Sequence, residues 1–450
     1  MKRLLTLTTF LAATAGTAQA DMVFPIGGDS RLNWQSLADF KAAHPGLEGQ
    51  SLTILGPWLG ADKDLFTSLI PYFEDATGAR VNYSGSDTFE QQIVIDSEAG
   101  SPPDMAVFPQ PGLAADLARK GYLKPMPDGT GDWLRQNYAA GDSWADLVTY
   151  AGADGTPAVY AFPFKADVKS LVWYVPENFA DAGYDVPETM EDLKALTEQM
   201  AADGETPWCI GLGSGGATGW PATDWVEDLM LRLNSPADYR DWTTNKLAFN
   251  DPKVVAAIEE FGWFARNDAF VAGGAGAVSS TDFRDSPKGL FTSPPQCWMH
   301  RQASFIPSFF PDETEIGTDA DFFYFPAYAD KDLGKPVLGG GTSFAMMRDN
   351  PVGAAFIAFL QTPLAHEIWM AQSGFVTPLK SVNPDAYAND TQRKMGDILL
   401  QATTFGFDGS DLMPGAIGAG QFWTGMVDFV GGQSAQAVAD AVQAKWDTLK

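Results

Sequence analysis

Residues 51–108 read SLTILGPWLGADKDLFTSLIPYFEDATGARVNYSGSDTFEQQIVIDSEAGSPPDMAVF, and the rhythm of this stretch decides the fold class. Ser51-Leu52-Thr53-Ile54-Leu55 reads as a short strand, and Gly56-Pro57-Trp58-Leu59-Gly60 as a turn. A helix follows from Asp62, with Leu65, Leu69, Ile70 and Phe73 on one side and Gly78 at its end. Arg80-Val81-Asn82-Tyr83 is a second strand, 88–99 a second helix, and Pro103–Phe108 a third strand. Strand, helix, strand, helix, strand predicts an α/β fold, a parallel sheet with right-handed crossovers. Ligands bind such sheets beyond the carboxyl ends of the strands. That rule selects the loop with Trp58 and Asp62, the loop Ser84-Gly85-Ser86-Asp87, and the loop Phe108-Pro109-Gln110-Pro111.

On the N-terminal side, Trp34, Leu37 and Phe40 stand at helical spacing ahead of His44-Pro45-Gly46. Farther out, Lys2 and Arg3 precede an apolar run from Leu4 to Ala15 and a small-x-small site, Ala18-Gln19-Ala20. This is the pattern of a signal peptide over residues 1–20, with a periplasmic mature chain starting at Asp21. The cleavage site has no Cys for a lipid anchor, and no later apolar run has the length of a membrane span. On the C-terminal side, helices are marked by Thr189-x-x-Asp192, by Asn250 or Asp251 with Pro252, and by Asn350 with Pro351. Strand-like runs recur at Leu171–Tyr174, Phe322–Phe325 and Thr342–Met346.

A mature chain of about 430 residues exceeds what one hydrophobic core holds, so two domains are expected. The formal net charge is −28, or −30 once Lys2 and Arg3 are removed. Such a field repels nucleic acid and anionic membranes. In an exported chain the two cysteines, Cys209 and Cys297, suggest a disulfide. The histidines His44, His300 and His366 are scattered and make no zinc spacing, so no metal is expected.

The 14 tryptophans are more informative, because several sit beside Gly and Pro rather than at helical spacing. Trp58 lies in Gly-Pro-Trp-Leu-Gly, Trp220 in Thr-Gly-Trp-Pro, and Trp298 follows Cys297. An indole on a glycine-rich loop can lie against the C–H face of a pyranose, while carboxylates and amides take the hydroxyl rim. Gly211-Leu212-Gly213-Ser214-Gly215-Gly216 matches G-x-G-x-x-G, but Ala217–Pro221 extends the loop where a nucleotide site would open a helix. No G-x-S-x-G, H-E-x-x-H or P-loop is present, so no catalytic machinery and no cofactor is expected. Asp128–Asp132 and Asp408-Gly409-Ser410-Asp411 read as solvated turns rather than calcium loops.

The order of motifs resembles the maltose-binding protein family of ABC sugar importers, and within it the α-glucoside-binding branch. Gly60-Ala61-Asp62-Lys63 resembles a sugar loop, and Pro103–Phe108 a strand ending in an aromatic contact. Phe162–Leu171, with Asp167, is similar to a hinge crossing. Thr218-Gly219-Trp220-Pro221 and Cys297-Trp298-Met299-His300 fall at sugar loops of the second lobe. Met413-Pro414 followed by Gln421-Phe422-Trp423 is the closest single match. Gly215-Gly216-Ala217 replaces an acidic-Pro-Tyr contact, and His300 replaces a second Trp.

The resemblance implies a two-lobed periplasmic-binding-protein fold of type II. Lobe 1 would comprise 21–165 and 328–375, and lobe 2 168–326 and 377–450, with the disulfide inside lobe 2. It implies a monomeric binding component that delivers a short α-glucoside (sucrose, trehalose or maltose) to permease subunits. Ligand contacts would come from Trp58, Asp62, Phe108, Asp167, Trp220, Trp298 and Trp423, with Lys63, Asp87, Gln110, Asp224, His300, Arg301 and Gly341 around them. The alternatives are a secreted carbohydrate-active enzyme and a binding protein for a non-sugar solute.

Overall fold

The computed structural model describes residues 22–449 apart from Ala140 and Ser373. The leader expected at 1–20 lies outside the described residues. Strands run, in chain order, β1 (Ser51–Gly56), β2 (Arg80–Gly85), β3 (Met105–Phe108), β4 (Thr149–Ala151), β5 (Pro157–Val159), β6 (Ala161–Val168), β7 (Leu171–Tyr174), β8 (His300–Arg301), β9 (Asp321–Tyr324), β10 (Pro336–Met346) and β11 (Thr404–Phe407).

β1 pairs in parallel with β2, from Ser51 opposite Arg80 to Gly56 opposite Gly85, and on its other edge with β3. The expected crossovers are therefore present. The helix expected from Asp62 is two helices, Gly60–Thr67 and Ile70–Thr77. Pro71 in the first turn of the second cannot donate back to the preceding turn, so the chain restarts there. Gly78 ends the second helix at φ 72°, a left-handed conformation in which a side chain is strained. Asp192 closes a capping box with Thr189 and Asn350 caps its helix as the sequence predicts, and of Asn250 and Asp251 it is Asp251 that caps.

β10 is the spine of the molecule. Its last residues pair antiparallel with β3, its first residues pair in parallel with β11, and its middle lies along β6. Gly341 permits that approach, because a Cβ there would come within 2.5 Å of the Lys165 carbonyl oxygen. One core holds residues from Leu32 to Phe164 and from Phe344 to Ala386. A second holds residues from Val172 to Leu338 and from Met413 to Trp446. A smaller cluster, with Val168, Val376 and both cysteines, lies beside the second. Core membership thus changes along β6, along β10 and again near Val376, where Ala166 donates to the Val376 carbonyl at 2.9 Å. Two halves are joined by three adjacent strands of chain.

Cys209 and Cys297 form a disulfide with Cα atoms 5.3 Å apart, as the sequence predicts. No helix of the described residues is long and apolar enough to cross a membrane.

Candidate functional site

The loops beyond β1, β2 and β3 open onto a cleft between the halves, with a water-accessible volume of about 150 Å³. From the first half come Trp58, Asp62, Asp87 and Gln110. β6 and β10 supply Asp167 and Gly341 from the joining strands. Trp220, Asp224 and Trp423 come from the second half. The halves touch above the cleft: Gly216 N–H donates to the Asp87 carbonyl at 3.0 Å, and Gln91 Nε2 donates to the Gly216 carbonyl at 3.3 Å.

Trp220 is not part of an extended loop. It opens the helix Trp220–Leu233, after Gly219 at φ 114° and with Pro221 in the first turn. Gly219 is required twice over, by its dihedral and because a Cβ would lie 2.2 Å from the Trp423 carbonyl oxygen. The turn therefore locks Trp220 and Trp423 into one wall. Trp220 packs edge-on to Phe283, and the Lys169 ammonium stands 5.5 Å from its ring centre.

Asp62 lies in the first turn of helix Gly60–Thr67, whose positive end favours an anion. It keeps partial exposure to the cleft, yet protein surrounds it on most sides. Burial raises its carboxyl to about 6, Lys165 and Arg284 oppose that rise, and Asp167 adds to it. Asp167 itself accepts from Lys165 Nζ at 2.5 Å.

Lys169, at the end of the β6 crossing, donates to Asp224 at 2.9 Å and to Asp408 at 2.5 Å. The carboxylates of Asp224, Glu227 and Asp408 converge within 4.8 Å, a spacing that could hold a metal ion, and the Lys169 ammonium already provides the cation there. Burial alone would lower Lys169, but the surrounding carboxylates hold it well above its ordinary value. Burial would raise Asp408, and Lys169 instead pulls it down to about 2. Burial raises Asp224 to about 7 against the pull of Lys169, and also pushes Glu227 and Asp411 up.

Asp408–Asp411 is thus no solvated turn. Asp408, Ser410 and Asp411 are buried and line the cleft, because Glu227 accepts from the backbone N–H groups of Gly409 and Ser410 at 2.9 Å each. Sequence reasoning also passed over Lys165, Lys169 and Arg284. Charged residues inside the otherwise apolar run Phe162–Leu171 were a signal for the two lysines, and nothing local marks Arg284.

The remaining expected contacts stand elsewhere. Lys63 is half-buried and does not line the cleft. Phe108 is in the first core, edge-on to Phe89. Trp298 is in the second core, donating to Glu205 at 2.9 Å. His300 shares a 2.8 Å hydrogen bond with the Cys209 carbonyl, and burial lowers it to about 4, so its ring is neutral. Arg301 donates to Asp228 at 2.7 Å, and Asp228 also binds Arg232 and accepts from Ser170.

Among the described residues, five buried polar atoms lining the cleft have no protein hydrogen-bond partner: Asp62 Oδ1, Gln110 Oε1, Asp224 Oδ2, Thr342 Oγ1 and Trp423 Nε1. Buried polar groups are ordinarily satisfied, so five in one cleft mark a place built to be completed by something else.

A sequence model of the bacterial extracellular solute-binding proteins matches residues 59–367. The chain is 65% identical to the alpha-glucosides-binding periplasmic protein AglE of Rhizobium meliloti (strain 1021), over 98% of this chain and 97% of AglE. It is 40% identical to the osmoprotective compounds-binding protein GgtB of Synechocystis sp. (strain ATCC 27184 / PCC 6803 / Kazusa), over 89% and 94%. Among solved structures, the bacterial solute receptor AcbH superposes with a TM-score of 0.76 at 20% identity, covering 89% of this chain and 99% of AcbH. Maltose-bound MalE3 of T. maritima superposes with a TM-score of 0.69 at 13% identity, covering 89% and 100%. The fold is the two-domain α/β architecture expected from the sequence.

Proposed function

The chain belongs to the bacterial extracellular solute-binding protein family, and on that premise we propose that it is the periplasmic receptor of an ABC importer for a short α-glucoside of the sucrose, trehalose or maltose type. The observation that carries this reading is the set of five unsatisfied buried polar atoms beside the indoles of Trp58, Trp220 and Trp423. Asp62, Gln110 and Asp224 offer acceptors, Trp423 a donor, and Thr342 either. A sugar hydroxyl both donates and accepts, so a polyhydroxylated ring can satisfy such a mixture while its C–H faces cover the indoles. The carboxylates of the cleft disfavour an anion. The 65% identity to AglE supports an α-glucoside over the solutes of GgtB, at 40%.

The receptor works by closure. A sugar bound to one half gains its remaining contacts only when the other half swings in, and that difference in contact shifts the population toward the closed form. The closed form then presents the sugar to the permease. It acts as a monomer, without nucleic acid, cofactor or catalysis of its own.

Thermal denaturation with a panel of mono- and disaccharides tests the reading. A bound α-glucoside at 100 times its Kd should stabilise the chain by about 2.7 kcal/mol. A panel in which no α-glucoside raises Tm, or only a non-sugar osmolyte does, would sink it.

Binding should also depend on pH. A hydroxyl that donates to Asp62 favours the ionised carboxylate, so binding lowers a group that stands at about 6 in the free chain. The Asp62 contribution to affinity is then level above pH 6 and falls below it, by at most about tenfold per unit, and the raised Asp224 carboxyl adds a fall of the same sign. In the free chain the sign is opposite: folded Asp62 holds its proton longer than unfolded Asp62, so its contribution to stability falls as pH rises from 3.8 to about 6. Titrations at several pH values check this, and Asp62→Asn should flatten the profile.

A further inference from the structure

β6 separates two cavities. Its side chains alternate, so Lys165 and Asp167 face the cleft, while Ala166 lines a second cavity of about 660 Å³ on the other side of the joining strands. This rear cavity also spans both halves. Trp144 and Leu379 come from the side of the first core, and Phe405 and Phe407 from β11. Trp144 meets Phe407 edge-on across the divide, with ring centres 6.4 Å apart.

We propose that the rear cavity is a second ligand site, for an amphipathic anion with a flat aromatic or alicyclic body, and that its occupant strengthens sugar binding. The inference rests on the reading that the front cleft closes on a sugar. Its size lies within the range of small-molecule sites. Its aromatic walls suit a flat apolar body, and Phe405 is 44% exposed at its mouth. The cations at the rim are Lys380 and Arg393, set against Asp397. Lys380 has no ion-pair partner among the described residues, and Arg393 reaches Asp385 and Asp390 only at 3.5 and 3.9 Å. Arg393 is thus shared between two carboxylates, and Lys380 is the rim cation left to meet an anion.

The coupling follows from the position of the strands that join the halves. They lie between the two cavities, so a rotation that opens the front cleft brings the rear walls together. Here the front edges are in contact through Gly216 and Asp87, and the rear cavity stands open. An occupant of the rear cavity binds the front-closed form, and a sugar binds the same form. Each must then raise the affinity of the other by one common factor.

The test uses anilinonaphthalene sulfonate, an aromatic anion, on the intact mature chain. Saturable binding of one dye per chain is expected, tightened about fivefold or more by saturating maltose, with maltose tightened equally by the dye. Phe405→Asp and Lys380→Glu should each weaken the dye and remove its effect on maltose affinity. Dye binding that is unchanged or weakened by maltose, or indifferent to both substitutions, would overturn the proposal. If no sugar binds at all, the sugar reading fails by itself, and the response of the dye to the two substitutions still decides the rear site.

Discussion

Replacing Lys169 with Met is expected to lower the free energy of unfolding by about 3–5 kcal/mol, the usual cost of stripping one partner from a buried ion pair. The Lys169 side chain is 9% exposed, and those of Asp224 and Asp408 are 1% and 2% exposed. Without the ammonium, both carboxylates remain in a pocket that also holds Glu227 and Asp411, and each must take up a proton or stay charged and unpaired. The deficit should therefore shrink as pH falls toward 5, where protonation removes the stranded charge. Adding Asp224→Asn and Asp408→Asn to Lys169→Met should return part of the loss, because the three residues act as one unit. Urea unfolding of the wild-type, single-variant and triple-variant proteins, with midpoints compared at constant m, reads both effects. A loss below about 1 kcal/mol would mean that the cluster is not the brace that its geometry describes.

The second large effect belongs to the disulfide. Cys209 and Cys297 are separated by 88 positions, and a closed loop of that length is worth about 4–5 kcal/mol on the chain-entropy account. Cys209→Ala with Cys297→Ala should lower stability by about that amount, seen as a fall in Tm. Neither cysteine lines the cleft, and both lie beside the core of the second half, so sugar affinity at low temperature should hold. A large loss of affinity with little loss of Tm would place the bond in the binding machinery instead.

What was legible in the sequence is what local chemistry decides. The rhythm of residues 51–108 gave the parallel strands β1, β2 and β3 but not the antiparallel β10 beside them, and the caps at Thr189, Asp251 and Asn350 gave helix starts, because each of those signals lies within a few residues of its effect. The rule that ligands sit beyond strand ends led to Trp58, Asp62, Asp87 and Gln110, all of which line the cleft. Long-range partners were not legible. Lys169 and Asp408 are 239 positions apart, and only folding shows that an Asp-Gly-Ser-Asp segment is buried against Glu227. Trp298 and His300 follow Cys297 closely, yet the backbone beside the disulfide directs them into the second half, where Trp298 donates to Glu205 and His300 Nδ1 meets the Cys209 carbonyl. Their place in the sequence resembles a sugar loop, and in the structure neither lines the cleft.

Isothermal titration of the mature chain with maltose, sucrose and trehalose, alongside the Trp423→Ala protein, decides whether the cleft is a sugar site. One site per chain is expected for at least one of these sugars, weakened by about 1–3 kcal/mol when the indole is removed, with the sugar recovered intact afterwards. Absence of heat and of competition with all three sugars, binding indifferent to Trp423→Ala, or recovery of cleaved sugar would contradict it.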